Sequence, residues 1–227
     1  MTAGSQARFE QGFALHQRGR LAEAEALYEQ VLREQPTHAD AAHLRGLIAL
    51  QSGQIDKGVT RLREVVARHP AHAAALQNLG LGLCQLGQFV EAIASFDRAL
   101  VLRPEHPGLH ADRGNALAAM ARHGQAASSF ARAIALVPDH AACLRNRGNS
   151  LLFQGQVSGA LVSLRRAQAA SPDDADIHSN IVFALDFSLD AGFEEQQAAR
   201  RRWFEVFRRG LPTTLAGHAN DRDPTDR

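Results

Sequence analysis

Four polar side chains recur at one spacing: Asn78, Asp112, Asn146 and Asn180 are each 34 residues apart. Asn115 and Asn149 follow Asp112 and Asn146 by three residues, about one helical turn. A primary amide both donates and accepts, so it can pair with a peptide unit without reading its side chain. Asp112 keeps the acceptor half of that chemistry. A row of such groups is suited to holding an extended chain, and it contains no nucleophile. Asn is also a poor helix former, so its return inside apolar-periodic segments carries a cost. Upstream, the same register position holds Glu10 and Leu44, so the strip is expected to begin at Asn78.

The other reactive residue types form no catalytic or metal constellation. Among eleven histidines the closest pairs are His69 with His72 and His106 with His110. Pro70 and Pro107 interrupt regular geometry between them, and no Cys or carboxylate completes a ligand set. They are read as scattered surface histidines. Asp174 and Asp176 form an acidic pair just before a helical pattern, where Asp caps free N–H groups. Gly80-Leu81-Gly82 begins a dinucleotide-type motif, but the third Gly is missing and no strand precedes it. Cys84 and Cys143, 59 residues apart, match neither a metal nor a redox spacing. Arg200, Arg201, Arg202, Arg208 and Arg209 cluster beside Trp203, with Glu194, Glu195 and Glu205 offsetting part of the charge. No cofactor and no metal is expected, and the chain as given is not expected to be an enzyme.

Elements that could position the amide strip follow from periodic punctuation. Gly12, Gly46, Gly80, Gly114 and Gly148 keep the spacing of 34, and so do Pro36, Pro70, Pro104, Pro138 and Pro172. A fixed period of this size marks stacked repeats. Within each unit two apolar stripes at helical spacing are separated by a Gly, except at Ala121, and Pro closes the unit. This predicts an antiparallel helix hairpin per unit. Position twenty is small throughout (Ala24, Gly58, Ala92, Ala126, Ala160). Position twenty-four is large throughout: Tyr28, Leu62, Phe96, Phe130 and Leu164. Small residues let facing helices approach, and large ones fill the space beside them.

The pattern of Gly at eight, Ala at twenty, an aromatic at twenty-four and Pro at thirty-two resembles the tetratricopeptide repeat. The resemblance covers 5–38, 39–72, 73–106, 107–140 and 141–174, with copies three to five the most regular. Copy two departs at Gly58 and Leu62, and copy four at Ala121. It implies an all-α fold, a right-handed superhelical solenoid of antiparallel hairpins. A partial sixth repeat and capping helix over 175–210 and a polar tail over 211–227 would complete the chain. In such arrays the first helices line a concave binding face. Asn78, Asp112, Asn115, Asn146, Asn149 and Asn180 would then line a peptide-binding groove, with a protein or peptide as partner. Replacing Asn78 and Asn146 is expected to weaken binding with little change in melting temperature.

A narrower resemblance lies further on. SNIVFALDFS, a helix containing RRRWFE, and HANDRDPTDR are similar to bacterial proteins of the O-GlcNAc transferase (SPINDLY) type, over about residues 178–227. It implies an acceptor-binding array followed by a glycosyltransferase region that this sequence does not include. In that family a ladder of Asn side chains holds the acceptor backbone, and Asn78, Asn146 and Asn180 match it. The cap helix would dock on the glycosyltransferase domain, and self-association through the end of the array is a further expectation. The formal net charge of +1 draws neither nucleic acid nor membrane, and apolar content of 45% permits a substantial core. No run approaches the ~18 apolar residues of a membrane span, and the N-terminus has no apolar secretion core. A cytoplasmic location is expected.

Overall fold

The computed structural model describes residues 3–209. Among them are twelve helices and no strand: α1 Ala3–Gln17, α2 Leu21–Glu34, α3 Ala39–Gln51, α4 Ile55–Arg68, α5 Ala73–Gln85, α6 Phe89–Leu102, α7 Pro107–Ala119, α8 His123–Leu136, α9 Ala141–Leu152, α10 Val157–Ala170, α11 Ala175–Asp186 and α12 Phe193–Arg209. Consecutive helices pair as hairpins, and each hairpin stacks on the next. The first helix begins at Ala3, two residues ahead of the first copy as bounded by the repeat.

The small–large code acts across each hairpin. A Cβ added to Gly80 would lie 2.5 Å from Cε1 of Phe96, and one on Gly114 would lie 2.7 Å from Cε1 of Phe130. Gly12, Gly46 and Gly148 meet Tyr28, Leu62 and Leu164 in the same way. All five large residues are buried. The helices therefore pack closer than any side chain at position eight would allow, which offsets the roughly 0.5–1 kcal/mol cost of Gly inside a helix.

Two backbone devices reverse the chain. Between the helices of a unit, Gly19, Gly53, Gly87 and Gly155 take φ of +72° to +76°, a left-handed conformation that suits Gly. Ala121 adopts φ +56° at the equivalent place in copy four. Between units, the residue before each Pro (Gln35, His69, Arg103, Val137 and Ser171) leaves the helix with φ from −129° to −141°. That is the extended conformation a following Pro imposes.

Four histidines are not scattered. His38, His72, His106 and His140 stand 34 residues apart, each as the N-cap of a first helix. Their Nδ1 atoms accept from the backbone N–H of Ala41, Ala75, Leu109 and Cys143 at 3.1–3.3 Å. Asp174 takes the fifth such place and accepts from Asp176 and Ile177. Each side chain satisfies a donor that the helix start leaves open.

The array changes character at its end. α11 is still anchored by buried Ile177, Ile181 and Leu185, but α12 carries no fully buried residue. Ala199 packs against the core, Gln196 Nε2 donates to the Leu185 carbonyl at 3.2 Å, and ion pairs join Arg200 to Asp186 and Arg209 to Asp173. Two of the five clustered arginines are thus neutralised locally. The tail read over 211–227, which holds the HANDRDP segment, lies outside the described residues.

Candidate peptide-binding groove

Successive first helices α3, α5, α7, α9 and α11 approach one another directly, and the second helices do not do so to the same degree. The first helices therefore form the inner layer of the stack. The register position of Asn78, Asp112, Asn146 and Asn180 lies on them, but its occupants play different parts along the array.

At the start the position has no amide. Glu10 is exposed and accepts from Gln6, while Leu44 is buried in the core. His16 pairs with Gln51 of the next copy at 2.8 Å. Asn78 does not project a free amide. Its Nδ2 donates to Nε2 of His43 on α3, at 2.7 Å. His43 is 7% exposed, and its pKa is pushed down to about 4. Burial is the largest cause, the neighbouring His72 adds to it, and Asp40 opposes it. The His72 ring lies 4.8 Å from that of His43, and its Nε2 donates to Asp40 at 3.1 Å. Asn78 thus satisfies a buried acceptor between two copies. Its removal is therefore expected to lower stability, where spacing alone led to an expectation of little change.

In the middle, Asp112 accepts from Gln77 Nε2 at 2.9 Å. Burial raises its carboxyl pKa, with the Gln77 bond opposing. Asn146 Nδ2 donates to Asn115 Oδ1 at 2.9 Å, joining α9 to α7. Both groups keep further bonding capacity, because a carboxamide carries two N–H donors and two acceptor lone pairs. Cys84 and Cys143 are free thiols whose pKa values burial raises.

The far end is open. Asn149 and Asn180 make no side-chain hydrogen bond among the described residues, and both line a cavity of about 370 Å³. Leu152 and Val157 supply further apolar lining, and Phe153, Phe183 and Phe187 form aromatic walls. Phe153 stacks on His123 with ring centroids 4.4 Å apart, and Phe183 lies 4.8 Å from Phe187. These aromatic residues were not among the candidates drawn from sequence. The signal was in register position thirteen, which reads Gln17, Gln51, Gln85, Ala119, Phe153 and Phe187. No three His, Cys, Asp or Glu residues converge as a metal site among the described residues. No helix there is long and apolar enough to cross a membrane.

The tetratricopeptide repeat model matches residues 3–39, 43–107 and 111–175, most of the chain. The protein belongs to the tetratricopeptide repeat family. Among solved structures, this tetratricopeptide array is similar to MamA at 18% identity and a TM-score of 0.68, over 78% of this chain and 96% of that one. It is similar to a thermophilic tetratricopeptide protein of Thermus thermophilus at 23% identity and TM-score 0.58, over 80% and 98%. YrrB, described as having an unusual peptide-binding site, matches at 21% identity and TM-score 0.68, over 79% and 90%. Likeness at these identities shows the shared fold. No curated protein matches the sequence. As a tetratricopeptide array, the chain has the build of a protein-interaction module.

Proposed function

We propose that this array binds an extended segment of a partner polypeptide along its inner face, chiefly between α7 and α11. The observation that carries this reading is the pair of uncommitted amides, Asn149 and Asn180, on successive first helices of that face. Asn115 and Asn146 continue the strip, and Asp112 adds an acceptor, while Asn78 serves the structure through His43. YrrB, a protein of the same fold, carries a peptide-binding site by its description. The test is affinity for a captured partner segment. Asn149→Ala with Asn180→Ala should weaken binding at least tenfold while melting temperature holds, and unchanged affinity overturns the reading.

A second reading places the same groove in a longer polypeptide, as the acceptor-binding part of an O-GlcNAc transferase-like enzyme. It rests on the order of SNIVFALDFS, RRRWFE and HANDRDPTDR. Exposed Phe193, Phe204 and Phe207 on α12 would then meet the following domain or, in a self-associating array, another copy. Reading the gene past the codon for Arg227 and its neighbours decides the first case: no glycosyltransferase region in frame or adjacent removes it. Light scattering across a concentration series decides the second, because a strict monomer removes self-association.

A further inference from the structure

We infer that the cavity between α9 and α11 is a specificity pocket for one bulky apolar side chain (Leu, Met, Phe or Trp) of the bound segment. The inference rests on the groove reading above and adds to it the chemical class of the ligand. Three rings lining one cavity are widely open to solvent: Phe153 at 74%, Phe183 at 54% and Phe187 at 60%. Water-exposed aromatic surface gathered in a concave site is the usual mark of a place that another apolar group fills. The walls are preformed. Phe153 is braced by His123 and Phe187 by Phe183, so little ordering remains to be done on binding.

The polar part of the lining narrows the occupant further. Among the described residues, Asn149 and Asn180 are the polar side chains of the cavity, and no titratable side chain lines it. An ionic ligand would lose its hydration there without a counter-charge. A peptide segment matches both halves: its backbone can pair with the two amides and its apolar side chain can fill the space between the rings. The equivalent place one repeat earlier is different. There Ala118 and Ala119 replace Leu152 and Phe153, and the amides of Asn115 and Asn146 bond to each other. One pocket at one end of a strip that reads backbone would fix the register of an otherwise sequence-tolerant groove.

A library of 12-residue peptides displayed on phage, panned on the full chain, tests this. Enriched peptides would be synthesised with a fluorescent label and measured by anisotropy against wild type, Phe183→Gln, Val157→Trp and Asn149→Ala with Asn180→Ala. Circular dichroism checks that each variant is folded. The expected result is a Leu, Met, Phe or Trp at one fixed place in the enriched peptides. Affinity should fall at least tenfold when that residue becomes Ala, and by a similar factor for Phe183→Gln and for Val157→Trp, which fills the cavity. Peptides that lose affinity in the double Asn variant but show no apolar preference and bind Phe183→Gln normally overturn the pocket and leave the groove standing. If no peptide is enriched, both readings fall. If wild type dimerises and Phe183→Gln is a monomer, the pocket belongs to a second copy and the peptide proposal is overturned.

Discussion

The two ends of the inner face are built from similar residues put to opposite uses. At the N-terminal end, the side chains are engaged with neighbouring copies. Leu44 is in the core, His16 pairs with Gln51, and Asn78 pairs with buried His43. At the C-terminal end, Asn149 and Asn180 face an open cavity walled by exposed Phe side chains. An Asn beside the recurring Gly therefore has no fixed role. Its neighbour on the preceding first helix decides: a buried His engages it in a hydrogen bond between copies, and an open aromatic cavity leaves it available.

That contrast can be broken most forcefully through pH. The neutral His43 ring is the folded form, with a pKa of about 4 against an ordinary 6.5. Below pH 6.5 the unfolded chain takes up this proton first, so the contribution of His43 to stability should fall as pH drops from about 6.5 to about 4 and change little below. The loss is on the order of 3 kcal/mol. Denaturant titrations of wild type and His43→Gln across this window should differ in how steeply stability changes with pH. Equal pH dependence would remove His43 from the account.

Asn78→Ala against Asn180→Ala sharpens the comparison directly. Losing Asn78 strands a buried acceptor and should cost about 1–3 kcal/mol. Losing Asn180 should stay within about 0.5 kcal/mol, as for a surface change. Thermal melts of the two variants under one condition read the difference, and similar losses would mean that the two ends are alike. Ala121→Gly should stabilise by about 1 kcal/mol, because Gly occupies the left-handed region without the steric cost that Ala meets there. The smallest effect should come from Asp112→Asn. It completes the amide row and still accepts from Gln77, and it removes a carboxylate that burial disfavours. With its folded pKa raised, Asp112 weakens the fold as pH rises through its titration. The gain in melting temperature from the substitution should therefore be larger at about pH 7 than at about pH 4.

Much of the fold was legible because each structural need has one simple answer per repeat. Gly12 and its equivalents must be small, since a Cβ there would strike Tyr28 and its equivalents. The Pro residues must end the second helices, because they cannot continue them. The histidine caps were equally periodic at 38, 72, 106 and 140, yet pairing His by closeness in sequence, as for a metal ligand set, hides them. They were read as scattered, whereas their shared period of 34 puts them at one point of each repeat, the start of a first helix. Register was enough to locate the candidate strip but not its division into bonded and free amides, since the bonds of Asn78 and Asn146 reach residues 35 and 31 positions away. Phe183 and Phe187 lie in and just after α11, and their exposure sets them apart from the buried apolar residues of that helix.

The period of 34 and the small–large code are local and repeated, so sequence alone determines the hairpins, their turns and their stacking. Which polar groups are consumed and which stay available depends on contacts between neighbouring copies that differ in detail. His43 engages the Asn78 amide, while Leu152 and the Phe walls leave Asn149 and Asn180 open. Only the packed array decides that, because burial belongs to the neighbours of a residue as much as to the residue itself.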